Sequence, residues 1–407
     1  MQSIFLITKE QVMQAIRFVK VFRAAALLLF LLKISTLHAQ GIKQLFGAVR
    51  SGGADGIGVI NTLSYLGNNL QTRFNFALQV PGNSPNFRDF ASWNGKLYGC
   101  MMGGSSNQGI IFEWDPVTNS YIKKFDFTGS NGTNPSGTLY LYNNKFYGTT
   151  AGGGVNNAGV LFEWDPASNI FLKKIDFTSA TGSTPTGRLA MYNSRFYGVT
   201  AIGGANNLGA IFEWDPATNS YTKKIDFSSA TGAYAQYGGL MLYNNKFYGL
   251  NAYAGSSGQG TLYEWDPATN LFTVKHDFTS GEGNRPYGSL VFYNNKMYGT
   301  SYAGGSYGQG TIFEWNPLTN TYQTDHSFTG AAGGANPLGD LLLGQTQVLA
   351  QLPVGLALRL LVAVEQDLFR PAPAALNKSV IYQLTYSPHK WTYYSYFSLR
   401  RNFSKAI

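Results

Sequence analysis

Four histidines, His38, His276, His326 and His389, are the only imidazoles in the chain, and their placement limits the acid–base chemistry the sequence can support. His276 and His326 lie 50 residues apart at matching points of a repeat, where an earlier copy carries Ile225. A base or metal ligand is needed once, so this recurrence reads them as strand residues. The carboxylates Glu163, Asp165 and Asp176 also recur in most copies, which suits scaffold roles better than a paired acid and base. Glu163 facing Lys173 or Lys174 across two strands would form an ion pair contributing about 0–1 kcal/mol if exposed. No His-Glu-x-x-His, Gly-x-Ser-x-Gly or calcium-loop spacing is present. The Gly-rich run 151–159 lacks a following Lys-Ser/Thr and precedes a strand, so it is a weak phosphate cradle. Cys100 stands where later copies have Thr149 and Val199, the place of a small strand residue, and a single cysteine permits no intramolecular disulfide. No catalytic residue, metal set or cofactor motif emerges.

The elements that would position these residues follow from the period. Trp114, Trp164, Trp214, Trp265 and Trp315 are each 50 or 51 residues from the last, inside returning segments such as Gly109 to Pro116 and Gly159 to Pro166. A period of this length is the mark of a repeat architecture. With 48 Gly, 26 Tyr, 28 Phe and 13% charged residues, the composition is that of many short strands joined by tight turns. One copy yields four strand-like runs: A (Gly137 to Tyr142), B (Lys145 to Thr150), C (Gly159 to Trp164) and D (Phe171 to Phe177). Asn143-Asn144 predicts a two-residue hairpin, because asparagine tolerates positive φ. The turn at 165–169, with its Asp, Pro and Asn, predicts a longer connection between C and D.

A four-stranded meander cannot bury both faces alone, and stacking against like neighbours solves this. An all-β fold is expected, a β-propeller of four-stranded blades over residues 40–344 and again 379–407, with seven blades favoured and six the alternative. A linear solenoid is the competitor. Because the first copy starts at strand B, its A strand would have to come from the C-terminal end. Residues 345–378 break the period, as an insertion, a short helix over Leu356 to Phe369, or a reading-frame error. The tryptophans are expected to pack between blades; exposed faces able to stack on sugar are the other reading.

The net charge of +9 belongs to the ends: residues 1–40 carry five basic and one acidic residue, residues 345–407 seven and two, and the middle 18 of each. The neutral array argues against a nucleic-acid partner. Lys9, Arg17, Lys20 and Arg23 precede an apolar run, Ala24 to Leu32, and Ala39 precedes Gln40, so residues 1–39 read as an export signal. A retained anchor is the alternative, although the run is short for a membrane span. Secretion or residence in the cell envelope is expected, as a monomer with no membrane span after cleavage.

The segments at 145–148, 152–154 and 165–171 resemble Kelch-type blades. A nearer resemblance is to the GloVer tandem repeats of secreted bacterial proteins, carried in order by Asn134-Pro135, Phe146-Tyr147-Gly148-Thr149-Thr150, Gly152-Gly153-Gly154 and Gly159-Val160-Leu161-Phe162. That resemblance covers about residues 45–344 and 379–399. It implies an exported propeller-like protein and no particular reaction. The Glu-Trp-Asp-Pro that follows the phenylalanine departs from the pattern.

Strand order places the B–C and D–A connections on one rim, and only this rim varies between copies. Arg50, Asn107, Asn156, Asn206, Tyr253, Tyr302 and Tyr307 fall in B–C loops, and Asn134, Tyr234, Gln236, Tyr237, Glu282, Arg285 and Tyr287 in D–A loops. Variable polar and aromatic side chains on a rigid scaffold are what recognition needs; plain loop variation is the competing account. The sequence thus points to a non-catalytic binding scaffold for a glycan or cell-surface protein. A polymer-degrading lyase or hydrolase and a structural envelope spacer stay open.

Overall fold

The computed structural model describes residues 45–49, 59–63, 70–75, 90–330 except Ser136, 334–338 and the strands from 341 onward. The chain divides into two compact units, and the one spanning Phe46–Thr62 and Leu70–Ile407 carries all five blades described below. Residues 1–39, His38, Arg50 and His389 lie outside the described residues.

Among the described residues the fold is all-β, with five complete four-stranded antiparallel sheets, each a meander in sequence order. Blade I is β4 (Ala91–Trp93), β5 (Lys96–Met101), β6 (Ile110–Asp115) and β7 (Ser120–Asp126). Blade II is β8 (Tyr140–Tyr142), β9 (Lys145–Thr150), β10 (Val160–Asp165) and β11 (Ile170–Asp176). Blade III is β12 (Ala190–Tyr192), β13 (Arg195–Thr200), β14 (Ala210–Asp215) and β15 (Ser220–Asp226). Blade IV is β16 (Met241–Tyr243), β17 (Lys246–Asn251), β18 (Thr261–Asp266) and β19 (Leu271–Asp277). Blade V is β20 (Val291–Tyr293), β21 (Lys296–Ser301), β22 (Thr311–Asn316) and β23 (Thr321–Ser327). Before them β1 (Leu45–Val49), β2 (Val59–Leu63) and β3 (Leu70–Asn75) form a three-stranded sheet.

The expected hairpin is present: Asn143 and Asn144 hold φ of 49° and 60°, and Tyr142 pairs with Lys145. The A strand is shorter than expected, three residues in place of six. The cause lies at Gly137, where an added Cβ would stand 2.9 Å from the carbonyl oxygen of Gly187 in the next connection. Gly187 meets Gly238 in the same way, and Gly238 meets Gly288. The stretch before each A strand is therefore spent on packing against its neighbour and not on ladder bonds.

Two further expectations change. The C-terminal strand β28 (Lys390–Ser398) pairs along its length with β27 (Ser379–Ser387) and does not supply a fourth strand to β1–β3. The two strands, nine residues each, form a hairpin whose ladder runs the whole length of both. Within 345–378, Leu361–Val364 is a strand (β26) lying between β25 (Gln347–Ala350) and β27, where a short helix was one expectation. Its β-branched valines suit the pleat.

The core is aromatic and sits between blades. All five repeat tryptophans are fully buried. Trp164 of blade II packs on Tyr98 of blade I at 5.7 Å, and Trp214 on Tyr147, Trp265 on Tyr197 and Trp315 on Tyr248 repeat the contact. Each blade thus closes its neighbour, and the tryptophans offer no face to a sugar. Cys100 is buried on β5 with its thiol pushed up by desolvation.

Candidate functional site

The recurring polar residues are consumed in structure. Glu163 is 6% exposed and takes hydrogen bonds from Lys145 at 2.5 Å and the Tyr147 hydroxyl at 3.3 Å. Of the two lysines proposed for it, Lys174 pairs at 3.0 Å while Lys173 turns to Asp176. A β-bulge decides this: Phe162 pairs with Lys173 and Leu161 with Ile175, leaving Lys174 as the extra residue, re-aimed at the glutamate. Burial alone would raise the Glu163 carboxyl, but its bonds to Lys145 and Lys174 hold it below the usual range.

Asp176 accepts the Val155 N–H at 2.8 Å and so ties the end of strand D to the B–C loop. Asp126, Asp226 and Asp277 do the same for Ser105, Ala205 and Ser256. Asp165 accepts from Ala167 and Ser168 in the C–D turn, and Asn169 accepts the Trp164 indole N–H. His276 stacks on Tyr322 with ring centroids 4.1 Å apart, and burial lowers its pKa. His326 meets Phe328 edge-on. Both histidines are thus packed strand residues.

The rim residues separate into two groups. Asn156 and Asn206 spend their side-chain amides on the carbonyls of Phe177 and Phe227, which fixes the B–C loop to its own blade. Asn107 and Tyr307 are exposed in their B–C loops. Glu282 bonds the Thr279 hydroxyl and faces His276 at 3.4 Å, while its carbonyl accepts from Thr311, Tyr322 and Thr324. It does not approach Arg285 within ion-pair distance.

Six of the remaining rim residues converge. Tyr253, in the B–C loop of blade IV, meets Tyr234 edge-on at 5.6 Å and Tyr287 at 6.3 Å, and its hydroxyl lies 2.7 Å from that of Tyr287. Tyr287 is also flanked by Tyr237 at 6.0 Å and by Tyr302 at 5.5 Å. The Arg285 guanidinium lies 5.4 Å over the Tyr253 ring, an electrostatically favourable placement for a cation. Tyr237 and Arg285 are exposed, while Tyr287 is buried beneath them. Burial first, and then the bond to Tyr253, push the Tyr287 hydroxyl up, so it stays neutral at physiological pH.

Backbone pairing explains the convergence. In each of the four connections between blades I and V one residue donates its N–H to the preceding blade's B–C loop and lends its carbonyl to the following blade, and Asn336 after blade V makes the first of these bonds. Thr184 bonds Ala158 O and Ala201 N, and Arg285 bonds Gln259 O and Tyr302 N. This staple requires positive φ: 54° at Asn134, 56° at Thr184, 55° at Tyr234, 52° at Arg285 and 52° at Asn336. Six residues other than asparagine and glycine hold positive φ among the described residues, and Tyr234, Tyr237, Ala254 and Arg285 are four of them. Bulky residues occupy this conformation at a cost, and such strain concentrates at functional sites. No sequence motif announces the cluster; the aromatic and basic replacements at staple and loop positions are its one signal.

The family model described as the Gloeobacter/Verrucomicrobia repeat matches residues 34–243 and 234–349. No curated protein matches the chain. Among solved structures, TolB from Acinetobacter baumannii is similar at 13% identity and a TM-score of 0.45, over 69% of this chain and 63% of TolB. A chain of a nidogen/laminin complex is similar at 10% identity and 0.46, over 70% of this chain and 93% of the other.

Proposed function

Because the chain belongs to the Gloeobacter/Verrucomicrobia repeat family, we propose that it is an exported, non-catalytic β-propeller scaffold that binds a glycan at its variable rim. The observation that carries this reading is the convergence of Tyr234, Tyr237, Tyr253, Tyr287, Tyr302 and Arg285 from consecutive connections onto one patch. Aromatic rings with fixed hydroxyls present an apolar face and a polar edge together, which matches the two sides of a sugar ring. The scaffold beneath is rigid, its loops tied by Asp176 and its equivalents, so little ordering accompanies binding. Binding fits better than turnover because the recurring carboxylates are already engaged with lysines and backbone amides.

A glycan array with a parallel turnover screen on the full chain tests this. Saturable binding without product, lost in Tyr237→Ala while Tm is kept, is the expected result. Product formation would replace the reading with an enzyme, and binding indifferent to Tyr237→Ala would move the site elsewhere. Export is supported by the charged and apolar pattern of residues 1–40. Cell fractionation, with N-terminal sequencing expected to start at Gln40, checks it.

A further inference from the structure

Building on the rim-binding reading, we infer that His276 and Glu282 are positioning residues for the rim and make it sensitive to acid. The connection that carries Arg285 and Tyr287 is held while His276 is neutral and loosens when His276 takes up a proton. Both residues depart from the repeat. Blades I to III have Phe125, Ile175 and Ile225 at the strand D position of His276, and the earlier connections have Asn131, Thr181 and Thr231 at the position of Glu282. Phe125 stacks flat on Phe171 of the next blade at 4.2 Å. His276 makes the same contact with Tyr322 of blade V, at 4.1 Å and with 2° between the ring planes. A titratable ring thus occupies what is elsewhere an apolar packing position.

A closed set of contacts links this ring to the rim. The Tyr322 hydroxyl donates to the Glu282 carbonyl at 3.0 Å, where the Thr311 and Thr324 hydroxyls of blade V also donate. Two and three residues further on, the Asn284 and Arg285 amides donate to Ala303 and Gln259. Unseating His276 from Tyr322 therefore disturbs the backbone beneath Arg285 and Tyr287. Protonation favours that unseating. Phe278 meets the imidazole edge-on at 5.1 Å, and Leu262 opposes it from β18. Its Nε2 is buried with no hydrogen bond, the Glu282 carboxylate standing 3.4 Å away and accepting from Thr279. The charged groups facing the ring are Glu282 from the connection and Asp277 on its own strand, and Tyr322 is the titratable group that β23 sets against it. Burial lowers the imidazole pKa, and the two carboxylates oppose this without reversing it. An opened connection returns the ring to water and to its ordinary value near 6.5, so the opened form binds more protons and acid favours opening.

The test reads the full chain at about pH 7.5 and 5.0 in two ways: amide exchange at Asn284 and Arg285 without ligand, corrected for the intrinsic rate, and binding to an array of uncharged glycans. Protection of the two amides is expected to fall roughly three- to thirtyfold at the lower pH. Glycan binding should weaken by about twofold or more. His276→Phe, which restores the ring found in blade I, and His276→Ile, the residue of blades II and III, should keep binding at the higher pH and abolish both changes. His326→Phe should leave both in place. Glu282→Gln should move the onset of the loss to lower pH, because a carboxylate that favours the cation is gone. Protection equal at both pH values, or a loss that survives both His276 substitutions, would overturn the inference. Protection that follows pH through His276 with no glycan bound at either pH would support the acid-sensitive connection and remove the glycan reading instead.

Discussion

The two rims of the blades are built under opposite constraints. At one, the A–B and C–D turns repeat almost residue for residue: an Asn-Asn, Asn-Gly or Asn-Ser hairpin, then an aspartate or asparagine capping two backbone amides. Each side chain there closes a local backbone need, so replacement has little room. At the other rim side chains still tie each B–C loop to its own blade, but successive blades are joined by the backbone staple, and the side chain at the staple position is less constrained. Asparagine or threonine fills it in the earlier connections, while Tyr234 and Arg285 fill it around blade IV. The contrast teaches that variation in this chain concentrates where the backbone already holds the fold.

The sharpest way to break that contrast is to strike the shared core. Trp214→Ala removes a fully buried ring that joins blade III to Tyr147 of blade II and should cost about 3–5 kcal/mol. Urea unfolding of the full chain checks it, and a loss below about 1 kcal/mol would mean that blades do not depend on one another for stability. Next in size is Gly187→Ala. The new methyl would press on the Gly238 carbonyl of the adjacent connection, a backbone atom unable to yield cheaply. A loss of about 1–3 kcal/mol is expected, with ligand binding at the neighbouring tyrosines weakened as well.

Blade V offers a pH-dependent case. The bulge lysine of the other blades is replaced there by Asp325, which feels the charge of Glu314, and Ser327 stands where the others have aspartate. Dense packing first, and the Glu314 charge second, push the Asp325 carboxyl up to about 7. The folded protein then holds a proton that the unfolded chain releases near 3.8, so stability falls as pH rises from about 4 to 7 and is level above that. The side chain keeps an exposed edge where water screens it, so the change should stay near 1 kcal/mol, far below what the shift alone implies. Thermal midpoints at pH 4.5 and 7.5 should differ less in Asp325→Asn than in the natural chain; an identical difference would remove Asp325 from the account.

Much of this organisation is legible in the sequence, for a definite reason. The four-strand unit, the hairpin asparagines and the buried tryptophans each satisfy a local rule, and repetition makes a local rule visible. The rim residues are found by asking which positions escape the period, and Tyr253, Tyr287 and Arg285 answer that question. What the sequence conceals is which of them meet. Tyr234 and Tyr253, or Tyr287 and Tyr302, are brought together by a backbone bridge between connections that leaves no residue signature. Asn156 and Asn206 vary in the same way yet face inward to their own blades. The partner of Glu163 is concealed for a similar reason, since one bulge decides between Lys173 and Lys174. The change from lysine to Asp325 is legible at its repeat position, but its raised carboxyl is not, because that depends on the packing around the bulge.

The smallest expected effect separates stability from binding most cleanly. At the staple, asparagine enters the left-handed conformation more readily than tyrosine or arginine, and Asn134 and Asn336 show that the fold accepts it. Tyr234→Asn and Arg285→Asn should therefore each leave stability unchanged or raise it by about 0.5–1 kcal/mol, because the strained residue is replaced by one suited to its φ. Both changes should weaken ligand binding, Tyr234 through its edge contact with Tyr253 and Arg285 directly. Thermal melts run beside binding titrations would read both effects from the same samples. Substitutions that stabilise the chain while impairing binding would show that residues at this rim are kept at the expense of the fold. A loss of stability in both would instead give the tyrosine and arginine a structural duty, and the difference between the two rims would narrow to one of sequence alone.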